Sequence, residues 1–352
     1  PPKQDEREPS AAPPAGRAKQ RTRATSPDGA WRAEHREGGV RLVEIASGQV
    51  TPVIAPSDDA PGVRYGTADW VYGEELDQDD AMWWSADGRF LGFYAFDGSH
   101  VPTYELPTGW DKLRTRAAPR SYPKAGDPNP VAGLMVLDRQ SGRIATIDVG
   151  DDAQQYVYGV RFAPAGQGLL FHRTNRRQDR LQLVLADPVT GRSRVIVEET
   201  QATFQENRPL LRFLADGDRF LWGSERSGFR NLELRRLSDP ASVVPLTRHA
   251  FPVGEIVKVD ESAGAVWYTA FDGDAPMLAQ LHRVALDGSG DARLTPGDRA
   301  WSRFEISPDG SRVVARGETP VDPPCTVLFA VDGRARELAT LAASDAGAFE
   351  RL

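Results

Sequence analysis

A chain of 352 residues with 40% hydrophobic and 26% charged residues can bury a sizeable core, as one large domain or two ordinary ones. No stretch approaches the roughly 20 apolar residues that span a bilayer, and a formal net charge of −7 argues against a general nucleic-acid binder, which needs a basic face to neutralise phosphates. The single cysteine, Cys325, excludes an intrachain disulfide.

Residue 1 is proline, so the sequence reads as a fragment or a processed product, with any export signal upstream. Residues 1–25 are rich in Pro, Ala, Arg and Lys without apolar periodicity; they are expected to form a disordered lead-in, because they bury too little to offset chain entropy. From residue 26 the chain repeats itself. Ser26-Pro27-Asp28-Gly29, Ser85-Ala86-Asp87-Gly88, Ala163-Pro164-Ala165-Gly166 and Ser307-Pro308-Asp309-Gly310 are clear copies of one turn, with weaker ones at Ala215-Asp216-Gly217 and Ser262-Ala263-Gly264. Asp-Gly pairs favour turn conformations that other residues adopt at a cost. Five of the turns are followed by segments that alternate or run apolar at strand length: Arg89–Tyr94, Leu169–Phe171, Arg219–Trp222, Ala265–Tyr268 and Arg312–Ala315.

The turn glycines fall at 29, 88, 166, 217, 264 and 310, so the later intervals are 46–51 residues and the first two are 59 and 78. A period near 45–50 built from strands alone marks a β-propeller of four-stranded antiparallel blades. An all-β fold is therefore expected over residues 26–345, with six blades visible. The two long intervals place extra residues near 70–80 and 100–130, and such insertions map to loops on one face, often the binding face.

Several stretches carry a specific pattern. The first is Asp69-Trp70-Val71-Tyr72-Gly73-Glu74-Glu75-Leu76 followed by Trp83-Trp84-Ser85, continuing through Phe93–Asp97, Val101-Pro102, Tyr122–Gly126 and Asn129-Pro130. The second is Ser224-Glu225-Arg226-Ser227-Gly228-Phe229 with Asn231-Leu232; Val259–Glu261, Leu294–Gly297 and Pro323–Cys325 follow in order. Together they resemble the dipeptidyl peptidase IV family of the prolyl oligopeptidase group, over roughly residues 26–335. The resemblance implies an eight-bladed propeller capping an α/β-hydrolase domain, and release of dipeptides from peptide N-termini, with proline or alanine preferred second. It carries the family's amine-holding glutamate pair onto Glu74 and Glu75. Gly73 stands where the family commonly has a third glutamate. About two initial blades are absent, and with them the arginine that helps hold the substrate carbonyl. The partners implied are a peptide with a free N-terminus, a covalently following hydrolase domain and a homodimer; the location implied is periplasmic or secreted.

The glutamate assignment has a geometric condition. Neighbouring residues on a strand point to opposite faces, so two adjacent acids converge only from a bulge or a short helical insert. The run Glu74–Asp80 contains few β-formers and favours the helix. Without the resemblance, such a run is a solvated loop, and Trp70, Tyr72, Trp83 and Trp84 are blade core.

No serine has glycine both two before and two after it, so the nucleophile elbow of α/β-hydrolases is missing and no catalytic residue is assigned. His35, His100, His172, His249 and His282 are far apart and show no zinc spacing; with no Walker A or dinucleotide loop either, no metal or cofactor is expected. Ser224-Glu225-Arg226 reads as a hairpin turn, and Pro123 and Lys124 as loop-shaping residues. Two readings of function remain besides the peptidase propeller. One is a stand-alone propeller that binds protein; the other, poorer, is a glycosidase with acids in a central channel.

Overall fold

The computed structural model describes residues 20–60, 62–272, 276–345 and 347. Among the described residues, six antiparallel sheets follow one another along the chain, five of four strands and one of five, with a separate two-stranded ribbon. This is the expected propeller architecture, six blades in succession. The chain divides into two compact units, up to Asn207 and from Arg208, which carry the first three and the last three blades.

The recurrent turns lie at one fixed place, between the first and second strands of each blade. Ser26 joins Arg23–Thr25 to Trp31–Arg36, Ser85 joins Met82–Trp84 to Phe90–Asp97, and Ser307 joins Ala300–Ile306 to Arg312–Glu318. Their hydrogen bonds match. In the second blade the Ser85 hydroxyl donates to Asp87 at 2.6 Å and accepts from the Phe90 amide at 2.8 Å, while Asp87 accepts from the Arg89 amide at 3.0 Å. In the sixth, Ser307 donates to Asp309 at 2.6 Å and accepts from the Arg312 amide at 2.9 Å. Gly29, Gly88 and Gly310 sit at φ 69°, 66° and 69°, the left-handed conformation that only glycine adopts without strain. Serine and aspartate side chains thus satisfy amides that the reversal takes out of the ladder.

Each blade therefore begins one strand before its turn. The expected lead-in over residues 1–25 is too long by this measure, because Arg23–Thr25 pairs with Trp31–Arg36 as the first strand of the first blade. Three residues are too few to show periodicity. Residues 1–19 of that segment lie outside the described residues.

The strands Phe90–Asp97, Leu169–Thr174, Arg219–Ser224 and Ala265–Ala270 are buried on both faces, which is why they read as apolar runs. In Phe90–Asp97, Leu91 and Phe93 pack with Ala33, Val40 and Leu42 of the first blade. Gly92 and Tyr94, on the opposite face, meet the third: a Cβ on Gly92 would touch Leu169 at 3.4 Å. Fully burying each such Leu or Phe contributes about 1.5–3 kcal/mol. In the second unit, Leu214, Leu221, Leu232 and Leu246 of the fourth blade pack with Val266, Tyr268 and Val284 of the fifth. Trp267 and Leu281 pack with Trp301, Val313 and Phe329 of the sixth.

Candidate functional site

The first long interval is an interruption within a strand. The edge of Phe90–Asp97 is covered by two short pieces: Val63–Tyr65 pairs with residues 95–97, and Met82–Trp84 with residues 91–93. Tyr94 lies at the gap, its carbonyl accepting from Gly66 at 2.8 Å and its amide donating to Ala81 at 3.1 Å. Residues 66–81 are thus a loop inserted into a split strand, and the loop carries the helix Trp70–Glu75. A helical insert was expected, but it starts four residues before the acidic run and ends inside it. Aromatic residues open the helix and Glu74 and Glu75 close it.

Helical spacing distributes these side chains. Tyr72 and Leu76 share one side and are both buried; Trp70 and Glu74 share another. Glu74 is half-buried and Glu75 exposed. Successive helical residues are about 100° apart rather than opposed, so the obstacle that a strand sets to convergence of Glu74 and Glu75 does not arise here. The chain leaves the helix through Asp77 at φ 50°, and the Gln78 amide donates to the Tyr72 carbonyl at 2.9 Å.

Two side chains fix this helix to the third blade. Tyr156–Phe162 is an edge strand, and edge strands leave peptide groups unpaired. The Tyr72 hydroxyl accepts from the Val157 amide at 3.1 Å, and the Tyr94 hydroxyl donates to the Val157 carbonyl at 2.7 Å. Beyond Tyr158 the strand bulges, and the Gly159 amide donates to Gln78 Oε1 at 2.8 Å. Burial pushes the Tyr72 and Tyr94 phenols above their ordinary range, so both stay neutral and hydrogen-bonding. The acids that follow are engaged: Arg21 donates to Asp80 at 2.9 Å and lies 4.0 Å from Asp79. Asp69, which precedes the helix, is buried, and burial raises its carboxyl.

The second long interval supplies the ribbon Thr103–Thr108 and Arg116–Ser121. Trp70 packs at a tilt against Tyr122 at 5.0 Å, Tyr122 lies 6.2 Å from Tyr104, and the Lys124 ammonium sits 4.2 Å over the Tyr104 ring. This aromatic row stands beside the helix side that carries Glu74. His100 is held by the Asn129 carbonyl at 2.7 Å, as a structural residue would be. Trp83 packs edge-on against Tyr94 at 4.9 Å, and the Trp84 indole donates to the Ala24 carbonyl at 3.0 Å.

In the second unit, Ser224-Glu225-Arg226 is a hairpin turn. Ser224 pairs with Asn231 across the hairpin, the Ser224 hydroxyl accepts from Arg226 Nε at 2.9 Å, and the Gly228 amide donates to the Glu225 carbonyl. Tyr72, Gln78 and Gly159 went unremarked as anchors, since nothing in residue spacing joins positions about 80 apart. The one local sign was a glycine inside an apolar strand, which marks a bulge.

A family model described as "Dipeptidyl peptidase IV (DPP IV) N-terminal region" matches residues 4–324. The chain is 30% identical over 261 residues to the "Probable dipeptidyl-aminopeptidase B" of Coccidioides posadasii (strain C735), a match covering 66% of this chain and 28% of that protein. A protein of the same name in Emericella nidulans is 30% identical over 288 residues, covering 74% and 31%. The chain thus spans under a third of the length of these curated relatives. It is also similar in fold to the crystal structure of Porphyromonas gingivalis dipeptidyl peptidase 4, with a TM-score of 0.73 and 23% identity over 94% of this chain and 46% of that one. Among the described residues, no helix is long and apolar enough to cross a membrane. The motif order, the six blades and the family match agree, and the chain belongs to the dipeptidyl peptidase IV N-terminal region family.

Proposed function

We propose that this chain is the substrate-gating, N-terminus-recognising propeller of a serine-type dipeptidyl peptidase, with Glu74 and Glu75 holding the peptide's α-ammonium. The observation that supports this reading is the short helix that carries both acids, pinned at Tyr72 and Gln78 to the edge strand of the next blade. An α-ammonium offers one charge and three donors. Each charge-assisted bond to a carboxylate contributes about 1.5–3 kcal/mol where water is excluded, and a blocked N-terminus gains none of it. Fixing the amine also fixes the distance to the scissile bond, so the pair acts as a ruler for cleavage after two residues. The hydrolytic serine, aspartate and histidine belong, in this proposal, to a following domain.

The test uses the protein of the complete reading frame and dipeptidyl substrates with free and acetylated N-termini. Glu75→Ala lowers dipeptide release by orders of magnitude without loss of folding, and the acetylated substrate is not cleaved by either form. The rate falls as pH rises past about 8, where the free amine loses its proton. Full activity of Glu75→Ala removes the assignment. A reading frame without a nucleophile elbow leaves the propeller as a protein-binding module.

A further inference from the structure

We propose that the fifth blade carries a mononuclear site for a zinc-type transition-metal ion, with His249, His282 and Asp291 as its ligands. One donor atom from each of these residues lies within 4.8 Å of the other two. In sequence they are scattered. The fold collects them because His282 sits on the strand Gln280–Ala285 directly opposite Tyr268 of Ala265–Ala270, while His249 lies in the connection from the fourth blade and Asp291 just before the strand Ala292–Arg293.

His282 carries the argument. Its side chain shares a face with Val284, which belongs to the apolar core between the fourth and fifth blades. The residue is only 3% exposed, yet among the described residues neither ring nitrogen makes a hydrogen bond of good geometry, and Nε2 has only the distant Asp272 carboxylate before it. A neutral imidazole always holds one N–H and one lone pair, and leaving such groups buried and unpaired is costly enough that native proteins rarely do so without a use. The neighbours are donors suited to a metal. Asp272 Oδ2 lies 3.5 Å from His282 Nε2, and Asp272 Oδ1 is likewise buried without a partner.

The other residues form a network complete in itself. His249 Nε2 lies 3.0 Å from Asp291 Oδ2 and 2.9 Å from the Tyr268 hydroxyl, which donates to Asp291 Oδ1 at 2.5 Å. That network explains three of the residues, but not His282. It also resembles the outer support of a metal site: Tyr268 holds one carboxylate oxygen and leaves the other to face the imidazole. The His249 ring stacks on Phe251 at 4.2 Å, and its backbone amide is held by Asn231 at 2.8 Å.

The donor set selects the ion. Two imidazole nitrogens with a carboxylate oxygen suit Zn²⁺, Co²⁺ or Ni²⁺, whereas Ca²⁺ and Mg²⁺ take oxygen ligands. Bonds of 2.0–2.1 Å in a tetrahedron set donors about 3.3 Å apart. The His249–Asp291 pair, at 3.0 Å, is already close to this, and a His282 donor atom lies within 4.8 Å of both. Two carboxylates, Asp272 and Asp291, face this corner; Arg293, 3.4 Å from Asp272, balances one, and a divalent ion balances the rest. Bound there, the metal ties the inter-blade connection to the fifth blade.

The test is titration of the chelator-stripped full chain with Co²⁺ alone, followed by visible absorption, and with Zn²⁺ by calorimetry. One equivalent of Co²⁺ produces the intense visible band of a four-coordinate site, Zn²⁺ displaces it, and Ca²⁺ and Mg²⁺ do not. Asp291→Asn, which keeps shape and hydrogen bonding, and His282→Asn each weaken uptake at least tenfold, and Zn²⁺ no longer raises their melting temperature. His100→Gln, in the ribbon insert, binds as the unmodified chain does. Absence of stoichiometric uptake by the unmodified chain overturns the proposal, as does uptake that Asp291→Asn leaves unchanged.

Discussion

Tyr72→Phe removes one oxygen and tests how the acidic helix is held. The ring packs edge-on against Phe96 at 4.8 Å and Tyr94 at 5.8 Å, and phenylalanine keeps those contacts. What is lost is the acceptor of the Val157 amide. Tyr72 is 2% exposed and Val157 fully buried, so water does not take the oxygen's place. A buried donor left unpaired costs about 1–3 kcal/mol. Tyr94→Phe strips the carbonyl of the same residue, and the double variant is expected to depart from additivity by at least about 0.5 kcal/mol, since both hydroxyls hold one backbone segment. Urea unfolding reads the loss, and hydrogen exchange of a peptide covering Tyr156–Gly159 locates it. A loss of about 1.4 kcal/mol appears as tenfold faster exchange. In the complete protein the same variant should also lower dipeptide release, although no glutamate has been touched. Unchanged exchange at Val157 together with an unchanged unfolding midpoint would refute the anchoring argument.

Two further outcomes follow from the neighbouring bulge. Gly159 holds φ 59°, and a Cβ there would stand 2.5 Å from His172 Nδ1. Gly159→Ala should therefore destabilise the first unit by about 1–2 kcal/mol for the left-handed backbone, with a further penalty of about 1–3 kcal/mol for overpacking, measured by thermal unfolding. His172 is buried, and burial pushes its imidazole down to about 3, so the folded state keeps it neutral while the unfolded chain takes up a proton below about 6.5. Its contribution is whole above pH 6.5 and is lost as pH falls toward 3, at up to about 1.4 kcal/mol per unit. His172→Gln should flatten the stability profile between pH 6.5 and 4.5; an identical slope in both forms would show that this histidine does not titrate on unfolding.

The parts of the fold that were legible are those made by neighbours in sequence. The serine and aspartate of Ser85–Gly88 and Ser307–Gly310 close their turns on amides at most five residues away, so the turn is written into a short local pattern and its period counts the blades. The first strand of each blade was not legible in the same way. Arg23–Thr25 is a strand only because Trp31–Arg36 pairs with it, and Met82–Trp84 and Val63–Tyr65 are one edge cut in two by a loop. The acids Glu74 and Glu75 were picked out by resemblance, and the need for a helix beneath them by the alternation of strands. The helix's true limits, Trp70–Glu75, reflect where Tyr72 finds its burial.

Sequence by itself determined that this chain is all-β, that its blades recur at a fixed interval, that the interval is broken twice, and to which family it belongs. Those properties live in turns and apolar runs, whose free energies are set within a few residues. Tertiary structure alone decided which side chains hold the helix and which histidines meet. The Tyr72–Val157 and Gln78–Gly159 bonds and the approach of His249 to His282 and Asp291 join residues tens of positions apart. Loop closure over such lengths costs nearly the same for many alternative pairings, so only packing of adjacent sheets selects among them.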